Sequence, residues 1–286
     1  MSIPTILTIK EMRQLVWRWK SDDKRVGFVP TMGALHSGHL KLVEHLSEHC
    51  EKVVVSIFVN PLQFGPNEDF SRYPRTLPDD LRLLETVKAD AVFCPNSSEI
   101  YPKGFQTIVS NKELSGRLCG QFRPGHFDGV LTVVNKLFQA VSPNFAAFGK
   151  KDFQQFKMIQ RMVTDFCMPI EVLGMETIRE QDGLALSSRN RYLSSEQREQ
   201  APLIFAGLND AKKAWKAGEK TTAKLTEIFQ LSVSKCNEMK IQYCDIVDSE
   251  NLNPLDGIIE EGIAPVMIVA VVYNDVRLID NLELGV

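Results

Sequence analysis

GFVPTMGALHSGHLKLV, residues 27–43, is the stretch on which the reading of this chain turns. It begins with a short apolar run, Val26–Val29, that stops at Pro30. A glycine-bearing turn follows at Gly33, then His36-Ser37-Gly38-His39. Beyond these, Leu40, Val43 and Leu46 fall on one face of a helix. The pattern is strand, turn, helix. A helix start gathers backbone N–H groups that attract anions, and two imidazoles three residues apart there project toward the same place. The helix dipole disfavours added positive charge, so both histidines are expected to be neutral donors. A neutral donor still tightens its hydrogen bond as negative charge develops on a phosphate. Gly38 lets a ligand approach the backbone closely. A lone H-x-G-H also fits a surface histidine pair, and it is the strand before and the helix after that favour phosphate chemistry.

Working outward, short β-rich runs alternate with helical periodicities through about residue 175. Residues 53–59 (VVVSIFV) form a continuous apolar run, as expected of a strand buried on both faces of a parallel sheet. Residues 91–94, 106–109, 145–148 and 170–173 are shorter strand candidates. Between them, Leu81, Leu84 and Val87 share a helical face after Pro78-Asp79-Asp80. Val130, Val134, Leu137, Phe138 and Val141 share another, and Phe153, Phe156, Ile159 and Val163 a third, with Asp152 as its expected N-cap. This order predicts an α/β fold, a doubly wound parallel sheet. After residue 180 the pattern changes. SSEQ at 194–197 is a capping box expected to open one long helix to Trp215. A second helix follows Thr221-Thr222, and residues 241–248, 265–273 and 276–279 read as strands with a tight turn at 273–276. Two domains are expected, 1–179 and a smaller α+β domain at 180–286.

Composition narrows the function. At 286 residues with 44% hydrophobic and 24% charged residues, the chain can bury a large core without staples. A net charge of −3 supplies no general attraction to nucleic acid. The six cysteines are scattered with no C-x-x-C pair, which suits free thiols in a reducing compartment. No signal peptide is legible at the start, and the longest apolar run is about half a membrane span. A cytoplasmic protein with no membrane and no nucleic-acid partner is expected.

Further polar segments sit where strands end. Asn60-Pro61-Leu62-Gln63 follows the run 53–59, and its amides suit the hydroxyls of a small polar substrate as well as they suit capping. Gly149-Lys150-Lys151-Asp152 offers N–H groups and positive charge, with Gln155 a turn further on. Leu186-Ser187-Ser188-Arg189 supplies hydroxyls and a guanidinium matched to phosphate oxygens. His126, in Arg123-Pro124-Gly125-His126, suits a substrate contact or a loop brace equally. Asp79 and Asp80 are candidate metal ligands, though two acids in a first helical turn are equally explained by the dipole.

H-x-G-H after the first strand resembles the nucleotidyltransferase superfamily, in which a Rossmann-like fold handles ATP phosphates and releases pyrophosphate. The longer PTMGALHSGHLKLV resembles the pantothenate synthetase (pantoate–β-alanine ligase) family. So do VSIFVNPLQFGPNEDFSRYPRT, RPGHFDGVLTVVNKLF, FGKKDFQQF and DGLALSSRNRYLS, in order and spacing. The resemblance implies a two-step reaction: pantoate and ATP give a pantoyl adenylate and pyrophosphate, then β-alanine displaces AMP to form an amide. It implies ATP contacts at Met32, Gly33, Ala34, Leu35, His36, Ser37, Gly38 and His39, with His39 the catalytic histidine and His36 also on the phosphates. It implies further ATP contacts at Gly149, Lys150, Lys151, Asp152, Ile178, Leu186, Ser187, Ser188 and Arg189. Of these, Lys151 and the Ser-Ser-Arg loop would grip the phosphates, the loop closing from the second domain. Gln63 and Gln155 would hold pantoate, Gln63 also β-alanine, and Asn60 is expected with them among the pantoate and β-alanine contacts. A homodimer is also implied. Mg2+ is expected because the charges of ATP must be screened before an anion attacks; the phosphates would hold it, with Asp79 or Asp80 contributing at most weakly. One departure stands out: Lys150 replaces the glutamate usual in F-G-E-K-D. A nucleotidyltransferase that leaves its nucleotide on the product and a non-catalytic nucleotide sensor are the competing readings.

Overall fold

A computed structural model describes residues 3–66 and 68–285. These residues divide into two compact units, one of Met1–Lys150 with Met158–Glu176, the other of Lys151–Lys157 with Thr177–Val286.

The first unit is built on a six-stranded sheet whose neighbouring strands all run parallel. The strands are β1 (Thr5–Ile6), β2 (Val26–Thr31), β3 (Lys52–Ile57), β4 (Ala91–Phe93), β5 (Phe145–Gly149) and β6 (Glu171–Met175), in the order β1-β4-β3-β2-β5-β6. From β2 the chain steps outward through β3 and β4, then returns to lay β5 on the other side. The order therefore reverses between β2 and β5, and ligands of such sheets gather beyond the carboxyl ends of strands at that reversal. Those ends carry the 32–39 and 149–150 segments. The parallel register explains the apolar runs: Val53, Val54 and Val55 are wholly buried because both faces are covered. Helices α1 (Ile9–Ser21), α2 (Ser37–His49) and α3 (Leu77–Leu84) precede or connect the early strands, and the helix His126–Val141 precedes β5. Leu42, Val43 and Leu46 of α2 share a core with Val29, Val53 and Val55. Each such side chain is worth roughly 1.5–3 kcal/mol of burial.

The second unit contains the antiparallel sheet β7 (Met239–Asp248), β8 (Pro265–Tyr273) and β9 (Val276–Glu283). Helix Leu203–Lys216 packs on β9 and helix Thr222–Val233 on β7. Their apolar faces, including Leu208, Leu225 and Phe229, close a core with Val269, Val271 and Tyr273.

Several sequence expectations are corrected. Residues 106–109 form no strand; Val109 N–H donates to the hydroxyl of Thr132 at 2.9 Å, so a side chain replaces a ladder partner. The capping box at Ser194 is present with both reciprocal bonds, but its helix is only Ser195–Gln200. Pro202, which has no N–H to donate, separates it from Leu203–Lys216. Asp152 closes a 3-10 turn, Lys150–Asp152, and stands immediately before the helix Phe153–Asp165, at the position expected of its N-cap. Val87 lies beyond the end of α3, and β9 runs on to Glu283. β1 leaves no periodicity to read in two residues, whereas α1, capped by Thr8 and burying Met12 and Val16, was legible but not anticipated. All six cysteines are free thiols. No helix among the described residues is long and apolar enough to cross a membrane.

Candidate active site

At the carboxyl end of β2 the backbone takes two consecutive left-handed residues, Gly33 at φ +81° and Ala34 at φ +51°. Glycine tolerates this conformation, whereas alanine does so only under constraint. The constraint is visible. Thr31 Oγ1 accepts Gly33 N–H at 3.2 Å while donating to Ser56 O at 2.7 Å. Asp80 accepts Ala34 N–H on Oδ2 at 3.1 Å and Leu35 N–H on Oδ1 at 2.8 Å. Thr76 Oγ1 donates to the same carboxylate at 3.3 Å. Asp80 is 1% exposed. Its carboxylate thus braces the loop. Asp79 forms an ion pair with Arg82 on the surface of α3. Among the described residues no group of three metal-ligating side chains is assembled.

The loop delivers His36 to the N-cap of α2 and His39 to its first turn. Gly38 N–H donates to His36 Nδ1 at 3.2 Å, and His36 N–H donates to His39 Nδ1 at 3.3 Å. A backbone N–H only donates, so both Nδ1 atoms are acceptors and both rings carry their proton on Nε2. The two imidazoles lie 4.1 Å apart, centroid to centroid. The capping box thus prepares two parallel tasks: Nδ1 holds the backbone, Nε2–H is the donor.

Next to this loop lies the Asn60–Gln63 turn. Gln63 Nε2 reaches Met32 Sδ at 3.0 Å, which joins the two segments. Asn60 is 1% exposed, and its amide is filled from four sides. Oδ1 accepts from Leu62 N–H at 3.3 Å and from the Tyr101 hydroxyl at 2.7 Å. Nδ2 donates to Gly129 O at 3.0 Å and to Gln63 Oε1 at 3.1 Å. Two donors and two acceptors exhaust an asparagine amide. Asn60 therefore stands behind Gln63 and orients it. The turn sits so close to helix His126–Val141 that a Cβ on Gly129 would lie 2.3 Å from Leu62 O. On the far side, Arg123 grips both oxygens of Glu68 at 2.7 Å and meets His126 Nε2 at 2.9 Å. His126 Nδ1 meets Gln63 O at 2.7 Å. Since guanidinium only donates, Nε2 accepts and Nδ1–H donates to the carbonyl. His126 thus braces the loop through the Gln63 carbonyl. Burial alone would raise the Glu68 carboxyl, but the hydrogen bonds and charge of Arg123 hold it below its ordinary value.

Gly149 ends β5 with open space where a Cβ would stand. Lys150, the residue that departs from the family pattern, pairs with Glu176 at 2.5 Å. Its ammonium is thereby engaged within the first unit.

In the second unit, Lys151 and Asp152 lead into Gln154, which is buried, and Gln155, which is half-buried. Residues 178–186 form a hairpin: Leu186 N–H donates to Ile178 O and Glu180 N–H to Leu184 O, both at 2.9 Å. Two expected ATP contacts, Ile178 and Leu186, are thereby paired at its open end. Ser187 Oγ accepts Arg189 N–H at 3.3 Å and so caps the 3-10 turn Ser188–Tyr192. Arg198 ties the hairpin tip through Glu180 at 2.9 Å and Asp182 at 2.5 Å.

Sequence reasoning did not find the bracing roles of Asp80 and Tyr101 or the Glu68–Arg123 pair. Glu68 and Arg123 both lie in quoted motifs, yet a pairing across 55 positions leaves no mark in one sequence.

The family model described as pantoate-beta-alanine ligase matches residues 4–283. A pantothenate synthetase of Sulfurihydrogenibium sp. is 49% identical over 274 residues, covering 96% of this chain and 97% of that protein. The crystal structure of a Thermus thermophilus pantothenate synthetase superposes with a TM-score of 0.93 at 44% identity, covering 99% of each chain. That of a Francisella tularensis pantoate-beta-alanine ligase, complexed with βγ-ATP and β-alanine, superposes with a TM-score of 0.80 at 33% identity. It covers 100% of this chain and 99% of that one.

Proposed function

The chain belongs to the pantoate-beta-alanine ligase family of enzymes, and from that membership we propose that it condenses D-pantoate with β-alanine at the expense of ATP, through a pantoyl adenylate. A free carboxylate is a poor acyl donor. In the first step a pantoate carboxylate oxygen attacks the α-phosphorus of ATP, the bond from that phosphorus to the bridging oxygen breaks, and pyrophosphate leaves. In the second, the neutral amine of β-alanine attacks the acyl carbon, AMP departs with the oxygen that had linked them, and the amine loses a proton. Pantothenate, AMP and pyrophosphate are the products.

The observation that carries this reading is the pair of Nε2-protonated histidines held beside the Met32–Gln63 contact. His39 donates Nε2–H to charge developing on the phosphates, and His36 assists it. Gln63, oriented by Asn60, presents its amide to the hydroxyls of pantoate and to β-alanine. Gln155 contributes a second amide for pantoate. Lys151, Ser187, Ser188 and Arg189 bind the phosphates, with backbone contacts from Met32 to Gly38, Gly149, Lys150, Asp152, Ile178 and Leu186. Magnesium enters as part of the MgATP substrate, since Asp80 is engaged with the loop and Asp79 with Arg82. We take the enzyme to work in the cytoplasm as a homodimer; sedimentation of the purified protein tests the latter.

The deciding experiment follows pyrophosphate release from MgATP with D-pantoate, then with β-alanine added. Pantoate-dependent release that becomes steady turnover with AMP and pantothenate formed is expected. ATP binding without pantoate-dependent release would instead favour a nucleotide sensor.

A further inference from the structure

The last strand of the chain contains no residue of the expected site, yet two neighbours on it hold both segments of the second unit to which ATP contacts are assigned. Asp280 is 3% exposed and takes the guanidinium of Arg179 on both oxygens, Nη1 to Oδ2 at 2.6 Å and Nη2 to Oδ1 at 3.0 Å. The same guanidinium donates to Gly183 O at 3.1 Å and to Asn281 O at 3.4 Å, and lies 3.9 Å from the centroid of the Phe205 ring. Arg179 immediately follows Ile178 and bridges Ala185 across the hairpin. Its clamp therefore sets where the hairpin opens into Leu186–Arg189. Asn281, 6% exposed, donates Nδ2–H to Lys151 O at 2.9 Å, while its own N–H is tied to Asp280 Oδ1 at 2.8 Å. Side chains of successive strand residues point to opposite faces, which lets one dipeptide reach two separate segments. β9 is paired along its length with β8, Val269 facing Asp280 and Ile268 facing Asn281, so the dipeptide is rigidly mounted.

We infer that Asp280 and Asn281 are positioning residues for ATP, setting the Lys151 peptide and the base of the 178–186 hairpin so that the phosphate-binding groups are presented in register. Neither touches the nucleotide. The inference rests on the ATP roles proposed above for Lys151 and Leu186–Arg189.

The test separates the two. Pyrophosphate release by the unaltered enzyme decides the reaction; MgATP affinity, measured by calorimetric titration, decides the inference and needs no turnover. Asn281→Asp keeps the shape but turns an acceptor toward Lys151 O. It is expected to weaken MgATP binding about tenfold, the scale of one lost hydrogen bond, to raise the ATP KM by the same factor and to leave the β-alanine KM unchanged. Asn281→Ser, with a shorter donor, is expected to recover part of the loss. Arg277→Gln, on the same strand but bonded to Gln242, is the control and keeps wild-type affinity. Unchanged MgATP affinity in Asn281→Asp overturns the inference. So does a fall in Tm accompanied by equal changes in both KM values, or an equal loss in Arg277→Gln, because strand integrity alone would then explain the effect.

Discussion

Asp80 and Leu35 are 45 residues apart in sequence, and the carboxylate of the first accepts the backbone N–H of the second at 2.8 Å. Together with Ala34 N–H on the other oxygen, this bond holds a loop whose left-handed alanine would otherwise relax. The charge sits in the first turn of α3, where the helix dipole stabilises a carboxylate. One buried acid thus determines where His36 enters α2.

Asp80→Asn leaves one of these two N–H groups facing an NH2. It is expected to lower stability by roughly 1–3 kcal/mol and kcat by about tenfold or more as the histidines lose register. The dependence of rate on magnesium concentration stays as in wild type. A shifted magnesium requirement at unchanged Tm would restore the carboxylate to the metal.

Asn60 and Gln63 act as one amide pair, so their effects do not add. Asn60→Ala and Gln63→Ala are each expected to raise the pantoate KM, and the double variant to cost about 1 kcal/mol or more less than the sum. Additive losses in KM would place both amides on substrate independently. Asn60→Asp sets a carboxylate against Gly129 O and Gln63 Oε1 and is the most destabilising of the series in a thermal melt.

The roles proposed for His39 fall on different nitrogens, Nδ1 bonded to His36 N–H and Nε2 toward the phosphates. His39→Ala removes both, with a cap loss of roughly 0.5–2 kcal/mol and a fall in adenylation rate of about 10²–10⁴. His39→Asn keeps an acceptor near the Nδ1 position and is expected to regain the Tm but none of the rate. Pyrophosphate release in the presence of pantoate reads the rate, and a rate restored in His39→Asn would sink the Nε2 assignment.

The Glu68–Arg123 pair has a direction in pH. The folded carboxyl lies below its ordinary value of 4.5, so the pair contributes its full stability above that value and loses it as the pH falls through the folded one. The Tm gap between wild type and Glu68→Gln is expected to be constant from neutrality to about pH 5 and to shrink below it. A gap that narrows toward alkaline pH instead would contradict the pairing.

The thiols differ by burial. Desolvation pushes Cys50 and Cys94 up to about 11 and Cys244 up to about 12, while Cys167 is exposed. Iodoacetamide at pH 8 is expected to label Cys167 first and these three last, as peptide mass mapping reports, because the thiolate is the nucleophile.

Local signals were enough for the α/β class, for most strands and helices, and for the loops that carry His36, His39, Gln63, Lys151 and Arg189, because each is written in neighbouring residues: an apolar run, a turn glycine, a helical face. The split at Pro202 was legible in principle too, since the missing N–H is a property of one residue. What no run of neighbours encodes is partnership at a distance. Whether Asp80 meets a metal or two backbone N–H groups, whether Asn60 faces substrate or Gln63, and whether His126 touches a ligand or braces a carbonyl all depend on which atoms the folded chain brings within 3 Å or so. A side chain carries only a fixed number of donors and acceptors. Sequence alone determined which groups are present; tertiary structure decided which of them hold one another.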